Sequence, residues 1–185
     1  MSKRETSYEA WLRDEGIPIV EGYGVEDVSE LPRKPWARTG GQGAYIQLKG
    51  MEGFTGMYVG EIPAGGALNI ERHLYEKIIY ILHGFGATEV WAGDSQKKKI
   101  QFEWQQGSLF AVPLNCAHRM INGSREPAIF LAVTSAPLMI DLLHDIPFVF
   151  GCDHTFDERF DGRADYFVPT SNRQFQGGFF NWESN

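Results

Sequence analysis

Residues 65–84 read GGALNIERHLYEKIIYILHG, and residues 107–122 read GSLFAVPLNCAHRMIN. In the first stretch Glu71 and His73 are separated by one residue, Lys77 follows after three more, and Gly84 closes the run after six. In the second, Pro113 follows Gly107 after five residues, and three residues separate His118 from Asn122. Side chains two apart on a strand share a face, so Glu71 and His73 project together. With His118 on a later strand facing the same interior, the set becomes two histidines and one carboxylate. That set suits non-haem Fe(II) with open positions and tolerates Mn, Zn or Ni. Lys77 opposes this, because strand parity places its ammonium on the same inner face, where a divalent cation is repelled. Either Lys77 turns away at a bulge, with Glu76 brought inward in its place, or the metal is weak or absent. In the metal-free reading Glu71 and Lys77 form an internal ion pair, His73 and His118 are hydrogen-bonding groups, and the cavity takes a small anion or polar ligand.

Outward from these two stretches, short runs rich in Tyr, Ile, Val, Phe and Thr recur between Gly, Pro, Asn and Asp. They predict strands at 44–49, 55–62, 68–74, 78–82, 87–92, 98–104, 108–112, 117–122 and 128–134. Close-spaced strands without intervening helices predict an all-β antiparallel sandwich or barrel. By alternation Tyr58, Tyr75, Tyr80, Phe110 and Met120 are candidates to line its cavity. Asn122 and Pro113 read as turn and closure residues, and Gly84 and Gly107 as corners. Asp94, Ser95 and the lysines at 97, 98 and 99 read as an exposed hairpin tip. Thr6 and Glu9 match a capping box ahead of Tyr8, Trp11 and Leu12, which predicts a short N-terminal helix. The proline-rich stretch from 17 to 41 reads as an extended arm whose Trp36 needs a surface to cover it. Residues 138–143 predict a short helix and 148–150 another strand. Charged residues at 153–165 and the aromatics Tyr166, Phe167, Phe175, Phe179, Phe180 and Trp182 predict burial against the barrel or another subunit.

With 185 residues, 43% hydrophobic and 22% charged, the chain is long enough for one core. Its formal charge of -7 has the wrong sign for tracking a phosphate backbone. No run reaches the roughly 20 apolar residues of a membrane helix. No apolar signal core follows the first residues, and Cys116 and Cys152 show no metal-ligand spacing, so the expectation is a cytoplasmic protein without nucleic-acid or membrane partners. His83, His144 and His154 do not share the spacing of the two stretches and read as structural.

The two stretches resemble the paired motifs of the cupin superfamily, in which two histidines and a glutamate from the first motif and one histidine from the second hold a metal. The second stretch matches at its signature positions except Asn115, where glycine is usual. The first departs at two ligand positions: Glu71 stands in place of a histidine, and Lys77 in place of the glutamate. The resemblance implies a cupin jelly-roll barrel at 43–137, flanked by an N-terminal helix and arm at 1–42 and a C-terminal arm at 138–185. The flanks look similar to one half of two-cupin proteins such as gentisate dioxygenase relatives. It further implies a divalent metal, Fe2+ above Mn2+, Zn2+ or Ni2+, on Glu71, His73 and His118. The expected activity is oxygen-dependent chemistry on an organic acid or phenol, with isomerisation or decarboxylation compatible, and Lys77 or Glu76 assisting the substrate. The alternative is a non-catalytic small-molecule-binding or regulatory cupin with a degenerate metal site. Sheet edges in need of cover predict a homodimer.

Overall fold

The computed structural model describes residues 4–93, 99–163, 165, 167 and 168. The N-terminal helix α1 (Ser7–Asp14) forms as its sequence predicts: Thr6 Oγ1 accepts from Glu9 N–H, and Glu9 returns a bond from its carboxylate to Thr6 N–H. The arm that follows is not merely draped over the barrel. It supplies β1 (Ile19–Gly22) and β2 (Lys34–Trp36), both paired with β3 (Gly41–Leu48). A Cβ added at Gly43 would meet the Trp36 ring at 2.5 Å, so only glycine lets the indole lie against β3. Trp36 is buried there, edge-on to Tyr45 and Tyr58.

The chain continues through β4 (Gly56–Ile62), β5 (Lys77–His83), β6 (Phe85–Trp91), β7 (Ile100–Gln105), β8 (Leu109–Val112), β9 (Ala117–Asn122) and β10 (Ala128–Thr134). Among the described residues, one sheet runs β1-β3-β4-β10-β5-β8 with β2 on β3, and the other runs β7-β6-β9. Every pairing is antiparallel except β1 with β3. Tyr45, Tyr58, Ile79, Ile81, Trp104, Met120 and Phe130 belong to one continuous core cluster. Burying each such side chain contributes about 1.5–3 kcal/mol. Helices α2 (Ala136–Leu143) and α3 (Ile146–Gly151) follow the last strand. Among the described residues, no helix is long and apolar enough to cross a membrane.

Three expectations are corrected. Residues 68–74 are not a ladder strand: Leu68 and Glu71 N–H donate to β9, Asn69 N–H to Thr39 in the arm, and Leu74 N–H to Val149 in α3. A segment whose backbone partners come from three places cannot stay in one sheet. Residues 148–150 are helical, because Asp145 Oδ1 accepts from Phe148 N–H and Pro147 sits in the first turn. Tyr80 faces outward, 41% exposed, since the inward parity of β5 is taken by Lys77, Ile79 and Ile81. Of the expected hairpin tip, residues 94–98 lie outside the described residues, as do Tyr166, Phe175, Phe179, Phe180 and Trp182, whereas Lys99 is described and pairs with Glu89 at 3.1 Å. Phe167 stacks on Phe102 with ring centroids 4.0 Å apart.

Candidate functional site

Glu71 and His73 are delivered by the segment ahead of β5, Lys77 by the first residue of β5, and His118 by β9. Mutual backbone bonds between Glu71 and His118, 3.0 and 2.9 Å long, hold the two motif stretches side by side. The imidazoles of His73 and His118 stand 5.2 Å apart, edge to face, and His73 stacks flat on Tyr75. Both histidines are 2% exposed or less. His73 Nδ1 lies 2.9 Å from the Tyr75 carbonyl, and His118 Nδ1 lies 3.1 Å from that of Cys116. Each Nδ1 therefore carries the proton and donates it, which leaves both Nε2 atoms as lone-pair acceptors. Neither Nε2 has a hydrogen-bond partner among the described residues.

Lys77 is inward and 1% exposed, as strand parity predicts. Its Nζ donates to Glu71 Oε2 at 2.9 Å, and His118 Nε2 lies 3.8 Å from the same oxygen. The other carboxylate oxygen, Oε1, accepts from Arg38 of the N-terminal arm, a residue that the motif spacing did not bring into view. Arg38 lies over Trp36, its guanidinium carbon 4.5 Å from the ring centroid, with Trp11 and Phe150 each at 5.4 Å. Its Nε donates to Glu15 at 2.8 Å. Glu15, Arg38, Glu71 and Lys77 thus form an alternating chain of two anions and two cations with no net charge.

This arrangement sets the protonation states. Burial alone would raise the Glu71 pKa, but Lys77 and then Arg38 hold it well below the usual carboxylate range. Burial pushes His73 down, and Lys77 adds to that. The same two causes lower His118 to about 3. Both imidazoles are neutral at ordinary pH.

A divalent metal, which the resemblance implies on Glu71, His73 and His118, meets a donor set that does not suit it. Two unit charges 4 Å apart interact by about 4 kcal/mol at an effective dielectric of 20, and a dication doubles that repulsion from Lys77. Both oxygens of Glu71 are already engaged by cations. Among the described residues, no group of three or more His, Cys, Asp and Glu side chains is placed to hold an ion. Glu76 does not replace Lys77: it is exposed, with its carboxylate 3.9 Å from Arg159, so no bulge turns it inward. His83, His144 and His154 are exposed and outside the site.

Asn115 stands at a φ of 55°, the left-handed conformation that favours glycine, which asparagine tolerates better than most residues. Its amide donates to the carbonyls of Cys152 and His154, at 3.1 and 2.7 Å, pinning the segment after α3 beside the site. Asn122 donates to the carbonyls of Ile62, Pro63 and Glu126, the turn-closing role its position predicts. A groove of about 460 Å³ on the barrel's outer side is lined by Phe54, Glu76, Ile78, Leu114, Ser135 and Arg159, among others.

Comparison with curated proteins gave no match. Among solved structures, the chain is similar to the oxalate decarboxylase of Lactobacillus farciminis in its formate complex. The identity is 22%, over 59% of this chain and 32% of that one, with a TM-score of 0.49. Bacillus subtilis oxalate decarboxylase at pH 4.6 is similar at 19% identity, over 58% of this chain and 28% of that one, TM-score 0.49. The Schizosaccharomyces pombe Cnp3 cupin domain is similar at 17%, over 65% and 82%, TM-score 0.47. The chain spans about a third of the length of the oxalate decarboxylases it matches. The family model described as cupin matches residues 51–161, which hold both motif stretches and most of the two sheets. More than half of the chain lies within that match, and the protein belongs to the cupin family.

Proposed function

We propose that this chain is a non-catalytic binding or regulatory cupin in which an internal ion network stands where a metal would be held. The observation that carries the reading is Lys77, its ammonium fully buried and 2.9 Å from Glu71 Oε2. An oxygenase, isomerase or decarboxylase of the metal-dependent kind needs that oxygen for an ion, and here a side chain of the same protein competes for it. Arg38 supports the same reading, since it spends the second oxygen on locking the N-terminal arm over the barrel.

The binding surface then lies outside the barrel. The groove beside β5 and β8 has the volume of a small-molecule site, with Glu76, Arg159 and Ser135 as polar contacts and Phe54, Ile78 and Leu114 as apolar ones. Metal analysis of chain purified without chelator tests the reading. The expected content is well below one divalent ion per chain, with a small polar molecule retained in native mass spectrometry. One ion per chain that disappears in the His73→Ala/His118→Ala variant overturns it. We also propose a homodimer through the β8 edge, where Leu109 is 67% exposed. Light scattering at micromolar concentration is expected to give twice the 20.9 kDa chain mass, and a monomer refutes it.

A further inference from the structure

The disagreement between the donor set and a metal rests on one ammonium group, and its chemistry is specific. His73 Nε2 and His118 Nε2 are buried acceptors without partners, both in the tautomer that a metal ligand requires. Glu71 Oε1 is committed to Arg38, but Oε2 faces Lys77 and His118. We propose that Lys77 acts as a built-in counter-ion occupying a latent divalent-metal site made of Glu71 Oε2, His73 Nε2 and His118 Nε2. The identity of residue 77 alone then decides whether the barrel takes an ion. This inference rests on the metal-free reading above.

Two features support it. Lys77 holds Glu71 Oε2 at the 2.9 Å of a hydrogen bond and leaves both Nε2 atoms without a partner, whereas Zn²⁺ draws nitrogen and oxygen ligands in to about 2.0–2.2 Å, so the ammonium engages one donor of the set more loosely than a metal would. Charge gives the second. With Lys77 present, the four ionised groups cancel. Lys77→Met leaves Glu15, Arg38 and Glu71 with one net negative charge, and Lys77→Glu leaves two, the complement of a divalent cation. The second variant also restores a carboxylate donor at that position.

The experiment titrates the chelator-treated chain of residues 1–185 with Mn²⁺ and with Zn²⁺, following binding by calorimetry and metal content by plasma mass spectrometry. Lys77→Glu is expected to take one ion per chain, at least about 100-fold tighter than the unaltered protein, given the removed repulsion. Lys77→Met is expected to bind between the two. Adding His73→Ala and His118→Ala to Lys77→Glu is expected to abolish the gain. Folding is read by circular dichroism with and without ion, because a bound ion stabilises the folded chain by mass action. Folded Lys77 variants that bind no better than the unaltered protein overturn the inference and leave the metal-free reading standing. Failure of both variants to fold even with ion present overturns it too. One ion per chain in the unaltered protein, lost with the two histidines, instead defeats the metal-free reading itself.

Discussion

Adjacent residues on one chain build two carboxylate–cation pairs of opposite character. Inside the barrel Lys77 and Glu71 meet at 2.9 Å with side chains 1% and 7% exposed; outside it Glu76 and Arg159 stand 3.9 Å apart with 71% and 61% exposed. The outer pair is screened by water and adds little, whereas breaking the inner pair strands a charge where no water can compensate it. Chemical type is therefore a poor guide to weight here. The parity of one strand residue decides which pair the fold depends on.

The largest test of this contrast is acid. Burial holds His73 and His118 neutral in the folded chain, and His118 is lowered to about 3 from an ordinary 6.5. Between those values the unfolded chain binds the proton that the folded chain refuses, so stability is complete above about pH 6.5 and falls as pH drops toward 3. The slope approaches about 1.4 kcal/mol per pH unit for each histidine. Glu71, also depressed, adds to the loss only below its ordinary 4.5. Urea midpoints measured from pH 7 to pH 4 are expected to fall steeply, and to flatten over that range in His73→Phe/His118→Phe. A flat profile in the unaltered protein would show that the interior is wet.

Next in size is Glu71→Ala. It leaves Lys77 and Arg38 without their shared anion, and a loss of about 3–5 kcal/mol in urea unfolding is expected. Lys77→Met removes the charge together with its need for a partner and is expected to cost less than Glu71→Ala. The reverse order would mean that Arg38 alone does not compensate the buried Glu71 carboxylate once Lys77 is gone.

How far the sequence reveals these two pairs depends on what each residue is attached to. Strands 117–122 and 128–134 are legible to the residue, and Lys77 is legibly inward, because a period of two fixes the facing wherever a ladder runs unbroken. Residues 68–74 defeat the same reasoning, since their backbone partners lie in the arm and α3 as well as β9. Residues 148–150 read as a strand because they are a short apolar run, and the helix-start signal of Asp145 and Pro147 ahead of them outweighs that reading in the structure. Arg38 was invisible to motif spacing because it lies 33 positions before Glu71. The cue available was an arginine two residues after an arm tryptophan that needs burial, which makes it a candidate for stacking on that ring.

Asn115 joins the interior to the exterior and is expected to show an intermediate effect. Its two bonds to the Cys152 and His154 carbonyls hold the outer segment against the site. Asn115→Ala loses both and strains the left-handed backbone, at a cost of about 1–3 kcal/mol. Asn115→Gly relieves the strain but still loses the bonds. If glycine restored full stability, the bonds would count for nothing, and the value of asparagine there would be conformational alone. Hydrogen exchange at residues 152–160 separates the two, because only loss of the bonds frees that segment.

The smallest expected effect sharpens the comparison most. Glu76 is next to Lys77 in the chain and is joined to α2 through its backbone, where its N–H donates to Ser135 Oγ and its carbonyl accepts from Ser135 N–H. Glu76→Ala keeps both backbone bonds and removes only an exposed carboxylate at the limit of ion-pair distance from Arg159. The change in stability is expected to stay within about 0.5 kcal/mol, ten times less than the largest loss expected from Glu71→Ala. Since Glu76 lines the outer groove, the same variant is expected to weaken retention of a polar ligand there while leaving the urea midpoint unmoved. A stability loss near that of Glu71→Ala would mean that Glu76 turns inward in solution, and the distinction between the two faces of β5 would collapse.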